Sequence, residues 1–327
     1  SVLCGCATPE NKPVNFVIFI ADDVSWNDLG IYGNTAVSSP FIDSLARDGL
    51  VFNNMFLTTS SCSPSRASIL TGRYPHNTGA PELHMSLPGK MRTIGHQLND
   101  HGYFVGASGK WHLGEDAKSG FDQVMDSDTG PGGEERWEEL IRDIPPQTPY
   151  FLWMASFDAH RPWGANSFAG KTDTSLINIP PYMIRDTATI QDFTNYYDEI
   201  ARFDDYVRKS VELLGERGLL DNTIIMIMAD NGRPFPRDKT RLYDSGIKTP
   251  FILWAPEHLL KTRGISTDAL VSVIDIAPSL AEWSTSGALP TYQGISFVNL
   301  LETPNESHRK YVFGEHNWHD YTAHERM

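Results

Sequence analysis

The sequence predicts an α/β protein in which helices flank a doubly wound, mostly parallel sheet. Short apolar segments rich in β-branched and aromatic residues alternate along the chain with segments of helical pattern. Several apolar segments are continuous rather than alternating, as expected of strands buried on both faces of a parallel sheet. The chain has 327 residues, of which 40% are hydrophobic and 21% charged, enough for one large α/β domain or two ordinary ones.

The first predicted strand covers residues 14–21 and leads directly into Asp22 and Asp23. Runs of the same kind predict further strands at 103–108, 150–156, 223–229, 250–255 and 310–313. Two intervening stretches, 114–149 and 161–190, are rich in Gly, Pro and Asp. We expect these stretches to form surface loops that shape access to a site.

Capping residues mark the predicted helices. Segment 39–49 begins with Ser-Pro and ends with Gly, which is the usual order of helix start and stop signals. A second helix is expected to hold Pro64 in its first turn, with capping oxygens from residues 60–63 before it and Gly72 at its end. Further helices are predicted at 93–101, about 190–217 and 272–283.

The charge balance excludes some partners. The chain has 27 basic and 41 acidic residues, a net charge of −14, which disfavours nucleic acid binding because that needs a basic face. An anionic substrate would be repelled at long range and would need a metal ion and a local basic cluster. No apolar run is long enough to span a bilayer, and three cysteines cannot build a disulfide scaffold.

Charged or metal-binding side chains follow four of the predicted strands, and the ligand site of an open α/β sheet lies beyond the carboxyl ends of its strands. A single group of this kind is usually a turn, but four in one chain favour a composite site. The residues are Asp22 and Asp23, then Lys110 and His112, then His160, and finally Asp230 with Asn231.

The acidic and amide members of this set offer only oxygen ligands, which suits Ca²⁺ or Mg²⁺ better than zinc. No histidine pair at metal spacing accompanies them, which argues against a dizinc phosphatase. The basic members, Lys110, His112 and His160, together with Lys239, could neutralise three anionic oxygens and protonate a leaving group.

Cys62 lies at the expected N-terminus of the helix that contains Pro64. Free N–H groups and the helix dipole attract anions there, and Arg66 adds a fixed positive charge one turn further on. One interpretation is a buried, inert cysteine in a capped helix. The other is a nucleophile position inside an anion site.

Five motifs decide between these interpretations by resemblance. Cys62 to Arg66 resembles the Cys-x-Pro-Ser-Arg pattern that sulfatases carry at their formylglycine, and Leu70 to Arg73 resembles its continuation. The remaining motifs fall in the order and at the approximate intervals of the type I sulfatases, in the alkaline-phosphatase-like superfamily. They are Ala21-Asp22-Asp23, Gly109-Lys110-Trp111-His112-Leu113-Gly114, His160 and Asp230-Asn231-Gly232. The resemblance covers nearly the whole chain from Asn15 onward.

The resemblance implies that a maturase oxidises Cys62 to the aldehyde formylglycine. It also implies a Ca²⁺ site, with Mg²⁺ as the alternative ion, whose ligands are Asp22, Asp23, Asp230, Asn231 and the modified Cys62. The sulfate-holding residues implied are Lys110, His112, His160 and a lysine before Tyr243. Lys239 fits that lysine, and Lys248 is the alternative.

The same resemblance implies covalent catalysis by the hydrated aldehyde. One hydroxyl attacks sulfur while His160 or Lys239 protonates the departing sugar oxygen or nitrogen. The second hydroxyl then loses a proton, helped by His112, and expels sulfate. The implied substrate is a sulfated carbohydrate, as in glycosaminoglycan degradation.

The sequence leaves alternatives open for the substrate and for the class of protein. Residues 243–246 depart from the family's usual Tyr-Glu-Gly-Gly, and with residues 230–236 and 255–258 they are more similar to the heparan N-sulfatase (sulfamidase) branch. Both O-sulfate esters and N-sulfates therefore remain open. The rivals are a phosphoester or phosphonate hydrolase on the same scaffold, a cysteine hydrolase that uses a thiolate, and a non-enzymatic lipoprotein that binds sulfated glycans.

The two ends of the chain also predict features. Residues 3–6 are similar to the end of a bacterial lipoprotein signal, so 1–13 are expected to form a signal end and tether with a lipid at Cys6. This predicts export to the periplasm or cell surface. Residues 14–327 are expected to form the catalytic domain, without the smaller C-terminal sheet of the family.

Overall fold

A computed structural model describes residues 12–127, 132–163, 168 and 170–319. The strands are β1 (Asn15–Ala21), β2 (Leu50–Phe52), β3 (Met55–Phe56), β4 (Phe104–Gly109), β5 (Gln123–Asp126), β6 (Tyr150–Ala155), β7 (Thr223–Ala229), β8 (Lys248–Thr249), β9 (Phe251–Trp254), β10 (Ile265–Thr267) and β11 (Val271–Ser272). The helices are α1 (Pro40–Arg47), α2 (Cys62–Thr71), α3 (Ile94–Asp100), α4 (Trp137–Asp143), α5 (Thr187–Glu216), α6 (Asp244–Ile247) and α7 (Ile276–Trp283).

The main sheet has eight strands in the order β10-β2-β9-β7-β1-β6-β4-β5. Its neighbours pair in parallel except β9, which runs antiparallel to both β7 and β2. Strands β11, β3 and β8 form a second, small sheet. The predicted doubly wound, mostly parallel α/β fold is therefore confirmed.

The central strand β1 contributes side chains to two separate cores. Phe16, Ile18 and Ile20 pack into a cluster that includes residues of α2, α3 and α7. Val17 and Phe19 point to the other face and join a cluster that includes residues of α1, α4 and α5. This follows from the two-residue period of a strand, and it explains why a buried parallel strand is apolar at every position.

The register of the central strands brings their carboxyl ends to one level. Ala21 of β1 pairs with Ala229 of β7, and Gly109 of β4 pairs with Ala155 of β6. In the sheet these four strands are adjacent, in the order β7-β1-β6-β4. The polar residues that follow them therefore start from one edge of the sheet.

Some predicted elements differ from the structure. Residues 310–313 are not a strand: the segment is irregular, and Tyr311 and Phe313 are exposed because no neighbouring strand pairs with it among the described residues. The stretch 114–149 is more than loop, because it contains edge strand β5 and helix α4, whose Trp137 is fully buried. In 272–283, Ser272 ends β11 and a short 3₁₀ turn precedes α7.

The predicted lipid attachment at Cys6 lies outside the described residues. Within the described part of the chain, none of the helices combines the length and the apolar character that crossing a membrane requires.

Gly109, the last residue of β4, provides a test of this packing. It has a φ of 90°, and a Cβ there would stand 1.9 Å from the carbonyl oxygen of Ala155. We expect Gly109→Ala to lower the free energy of unfolding by about 3 kcal/mol or more, because strain and a backbone clash add. Gly102→Ala is the control: its φ is 82° but nothing lies within 4 Å, so about 1–2 kcal/mol is expected. Urea unfolding measures both, and equal losses would contradict the prediction.

Candidate active site

The polar residues that follow the four central strands converge on the N-terminus of α2. One potential ligand atom from each of Asp22, Cys62 and Asp230 lies within 4.8 Å of the others. A second group, formed by Asp23, Cys62 and His160, meets the same limit. The structure thus brings the predicted site residues of β1, β6 and β7 around the sulfur of Cys62.

Cys62 is the first residue of α2 and is only 2% exposed. The expected serine cap is not formed: Ser61 occupies the N-cap position but makes no side-chain capping bond. The hydroxyl oxygens of Ser60 and Ser63 instead accept hydrogen bonds from the backbone N–H groups of Thr240 (3.1 Å) and His84 (2.9 Å). These serines therefore fasten neighbouring loops to the helix that carries Cys62.

Three buried ion pairs surround the site. Arg66 Nε lies 2.8 Å from Asp230 Oδ2, Lys239 Nζ lies 2.7 Å from Asp23 Oδ1, and Lys110 pairs with Asp22. Three carboxylates and three cations thus neutralise one another. Each pair needs this balance, because an uncompensated charge buried in a protein is very costly.

The surroundings lower the pKa of Asp23 and raise the pKa of the Cys62 thiol. Burial alone would raise the pKa of Asp23, but Lys239, His160 and Lys110 outweigh it and hold that pKa below its ordinary value. Burial raises the pKa of the Cys62 thiol to about 12, and Lys110 and Lys239 offset this only in part. The unmodified side chain is therefore a neutral thiol at neutral pH, which disfavours a thiolate nucleophile.

Arg66 is enclosed within the protein, and its Nη2 has no hydrogen-bond partner among the described residues. Its guanidinium is fully buried, and besides the pair with Asp230 it donates from Nη1 to the carbonyl oxygen of Lys110, at 2.7 Å. It thus connects α2 to the ends of β7 and β4. These two bonds fix the orientation of the guanidinium of this predicted site residue beside Asp230.

Two buried acceptor oxygens suit a hard cation. Asp22 Oδ1 and Asn231 Oδ1 have no hydrogen-bond partner among the described residues, although both are inaccessible to solvent. The amide nitrogen of Asn231 donates to Asp23 Oδ1 at 2.6 Å, which turns the amide oxygen away from that carboxylate. Bare oxygens beside carboxylates are the ligands that Ca²⁺ and Mg²⁺ prefer, so the residues present fit such an ion.

The histidines lie at different depths. His160 is 39% exposed in its side chain, its Nδ1 donates to the carbonyl oxygen of Arg161, and its Nε2 lies 3.9 Å from Asp23 Oδ2. His112 is mostly buried, and burial together with the nearby cations, of which Lys110 contributes most, lowers its pKa to about 2. His160 therefore lies at the mouth of the site and His112 inside it.

The two candidate lysines, Lys239 and Lys248, contact different groups. Lys239 reaches Asp23, whereas Lys248 places its Nζ 4.2 Å from the centre of the Trp26 ring. Among the described residues, Lys248 makes no contact with the carboxylates of the site. The geometry therefore favours Lys239 for the position before Tyr243.

Sequence reasoning missed the network behind Asp22. The backbone N–H of Asp22 donates to the carbonyl oxygen of Asp158, and the N–H of Ala159 donates to the carbonyl oxygen of Asp22, both at 2.6 Å. Asp158 is in turn paired with Arg202 of α5, with Nε 2.7 Å from Oδ2. Asp158 follows β6 and so had a detectable signal, but nothing in the pattern of a long helix marks Arg202.

A second missed residue, Arg233, supports the segment that carries Lys239. Its guanidinium pairs with Asp28 (2.9 Å) and Asp238 (2.8 Å), and all three side chains are buried. The backbone N–H of Lys239 donates to the carbonyl oxygen of Arg233 at 3.0 Å. Arg233 had appeared in the sequence only as part of a branch resemblance.

A sheet of this topology, with carboxylates, lysines and a buried helix N-terminus at its carboxyl edge, defines an alkaline-phosphatase-like hydrolase of anionic substrates. The chain belongs to the sulfatase family, since the family model described as Sulfatase matches residues 14–286. The prediction of a sulfatase, a hydrolase of sulfuric ester or sulfamate bonds, is thereby confirmed.

Three comparisons describe its relatives. The chain is 30% identical to human N-sulphoglucosamine sulphohydrolase, over 95% of its own length and 70% of that protein. It is 27% identical to human arylsulfatase A, over 92% of its own length and 70% of that protein. The solved structure of BT4656 has a similar fold, with a TM-score of 0.76 and 18% identity over 92% of this chain and 82% of that one.

Arg66 offers a test of the charge balance. We expect Arg66→Met to lower the free energy of unfolding by about 3–5 kcal/mol, because Asp230 then stays buried without its partner. Arg136→Met is the control, since Arg136 pairs with Glu139 at the exposed surface and its loss should not change stability measurably. Urea unfolding of the thiol form in a chelating buffer measures both. Similar stabilities for the two variants would contradict the buried-pair account.

Proposed function

We propose that this chain removes sulfate from a sulfated carbohydrate, using a formylglycine formed from Cys62 and a Ca²⁺ ion. The observation that supports this best is the set of acceptors around Cys62. Asp22 and Asn231 leave buried oxygens that have no hydrogen-bond partner among the described residues. A carboxylate oxygen from each of Asp22, Asp23 and Asp230 lies within 4.8 Å of the sulfur. Mg²⁺ is the alternative ion, since it prefers oxygen ligands as well.

The charges of the site suit the binding of a cation together with an anion. Without an ion, three carboxylates and three cations cancel. A bound divalent ion adds two positive charges, so the site becomes attractive to a sulfate group even in a chain of net charge −14. Asp22, Asp23, Asp230 and Asn231 would hold the ion, which would polarise the sulfate and the oxygen at residue 62.

The aldehyde at residue 62 would supply, as its hydrate, two hydroxyls on one carbon. One forms the bond to sulfur and the other allows sulfate to leave again, which a simple alcohol or thiol cannot do. Because Cys62 and the whole of α2 are buried, a maturase could reach the cysteine only before folding is complete. The maturase is therefore proposed to act on the unfolded or folding chain.

We assign the remaining catalytic roles to the basic residues according to how deeply each is buried. Lys110 and Lys239, which now face carboxylates, would turn to sulfate oxygens once an ion neutralises Asp22 and Asp23. His160 lies at the exposed mouth, where the sugar would stay, and would protonate the leaving oxygen or nitrogen. His112, whose pKa burial and the nearby cations lower to about 2, would accept a proton from residue 62.

The relatives support a sulfated sugar as substrate. The name of the 30%-identical human relative specifies N-sulphoglucosamine, and BT4656 was solved with its substrate D-glucosamine-2-N,6-O-disulfate. An O-sulfate and an N-sulfate place the same tetrahedral anion in the lysine-lined site, so both bonds stay candidates.

Export to the periplasm or cell surface, with a lipid at Cys6, is part of the proposal and concerns residues outside the described ones.

Substituting Cys62 tests the nucleophile. We expect Cys62→Ala to reduce sulfate release by at least about 10³-fold, because the covalent step is lost, while the unfolding transition stays cooperative. Wild-type protein coexpressed with a maturase should show aldehyde or its hydrate in place of the thiol in the mass spectrum of the Cys62 peptide. Substantial activity in Cys62→Ala would refute the nucleophile.

The same preparation tests the bond that is cleaved. Aryl sulfate and aryl phosphate are compared first, and an excess of phosphate hydrolysis would favour the phosphoester or phosphonate alternative. A glucosamine carrying only N-sulfate and one carrying only O-sulfate are compared next. Release from one and not the other identifies the bond.

Binding of the metal can be measured without activity. We expect Ca²⁺ to raise the melting temperature of the chelator-treated thiol protein in a concentration-dependent way, because the ion binds the folded state. Asn231→Leu should reduce this increment, since it removes a ligand oxygen. Asn299→Leu, at an exposed asparagine outside the site, is the control and should retain the full increment. Equal increments in the two variants would remove Asn231 from the ligand set.

A further inference from the structure

The loop between α2 and α3 places an unassigned histidine, His84, against the site. His84 Nδ1 lies 2.8 Å from His112 Nε2, and the two ring centres are 4.9 Å apart. His84 is exposed, whereas His112 is mostly buried. The pair therefore connects a histidine inside the site to one at the surface.

Three backbone hydrogen bonds hold the loop in this position. The N–H of His84 donates to Ser63 Oγ at 2.9 Å, and Ser63 follows Cys62 in the chain. The N–H groups of Leu87 and Leu83 donate to the carbonyl oxygens of Leu113 (2.9 Å) and Trp318 (3.3 Å). The loop is thus anchored both to the nucleophile helix and to the segment that carries His112.

Both histidines adopt left-handed backbone conformations, with φ values of 64° for His84 and 56° for His112. Residues other than glycine adopt this backbone region infrequently, and those that are held there cluster at functional sites. Two strained residues whose rings meet at hydrogen-bonding distance indicate that the surrounding structure maintains this contact.

The bond constrains how protons are placed on His112. Burial and the nearby cations, Lys110 and Arg66 foremost, keep the ring neutral, so it carries one proton on one nitrogen. If Nε2 carries it and donates to His84, Nδ1 is a bare lone pair. If His84 donates instead, Nδ1 of His112 carries the proton and cannot accept another.

Nδ1 of His112 is the nitrogen available to the reaction. It is inaccessible to solvent and has no hydrogen-bond partner among the described residues. The ring lies within electrostatic range of Lys110, Arg66 and Lys239, the three cations of the site. A base at this position must therefore act through Nδ1.

We propose that His84 is a positioning residue that accepts the Nε2–H of His112 and so leaves His112 Nδ1 as the proton acceptor for residue 62. When Nδ1 takes the hydroxyl proton, the Nε2–H···Nδ1 bond to His84 holds the resulting imidazolium. Nδ1 then passes this proton to water as sulfate departs, so His112 returns to the Nε2–H tautomer and His84 Nδ1 remains its acceptor. This inference rests on the proposed function for the role of His112 but not for the hydrogen bond.

The tautomer is measured first, on thiol protein made without a maturase. Long-range proton–nitrogen correlation spectra of histidine-labelled protein distinguish protonated from bare ring nitrogens, and His112→Gln identifies the signals. We expect His112 as the Nε2–H tautomer in the wild type and in His84→Asn, whose side-chain oxygen can accept the bond. In His84→Gly we expect loss of that preference. Both replacements tolerate a positive φ, so neither adds strain.

Turnover is measured next on matured protein, normalised to the aldehyde content of the Cys62 peptide. We expect His84→Gly to lower kcat about 10–100-fold, the range seen for residues that orient a reacting group, with KM for an aryl sulfate unchanged. His84→Asn should restore most of kcat. His258→Gln, at an exposed histidine outside the site, is the control and should match the wild type.

The outcomes separate the two proposals. An Nδ1–H tautomer in the wild type, or a tautomer unaffected by His84→Gly, overturns the positioning role whatever the enzyme does. A raised KM with unchanged kcat in His84→Gly also overturns it and assigns His84 to substrate binding instead. If matured wild-type protein releases no sulfate from any substrate, the proposed function fails, and the spectra still decide the His84–His112 bond.

Discussion

Neutralisation of buried carboxylates is the constraint on which this structure depends. Adjacent parallel strands deliver Asp22, Asp23 and Asp230 to one edge, where water cannot solvate them. Three cations from three other parts of the fold compensate them: Arg66 from α2, Lys110 from the end of β4, and Lys239 from the segment before α6. Because each pair joins distant parts of the chain, the site can form only when these elements have packed correctly.

A second set of interactions fixes the backbone that holds these charges. The chain at Asp22 is bonded on both sides to the segment at Asp158, which Arg202 holds from the long helix α5. Arg233 holds the segment that carries Lys239 by pairing with two buried carboxylates. The predicted site residues therefore lie at strand ends and in turns that these pairs hold in place, as a site that must keep its geometry requires.

The sequence made the central strands and the residues at their ends predictable, because buried parallel strands are continuously apolar and their polar successors stand out. β7 was predicted at the bounds observed, 223–229. The segment 310–313, Lys-Tyr-Val-Phe, has strand composition, but no strand among the described residues pairs with it, which no local pattern can reveal. Ser60 and Ser63 have capping chemistry, yet distant loops compete for their oxygens. His84 and Arg202 depend wholly on tertiary contacts and left no local signal.

The ion pairs also bear on the proposed metal and substrate, because they would make the binding of one depend on the other. Lys110 and Lys239 can bind either a carboxylate or a sulfate oxygen with the same ammonium hydrogens, but not both fully. In the structure Asp22 and Asp23 engage these lysines, so a sulfate would have to compete with the two carboxylates. A divalent ion on those carboxylates removes the competitor and adds positive charge. By linkage, a sulfate group that engages the lysines must then favour the ion by the same factor.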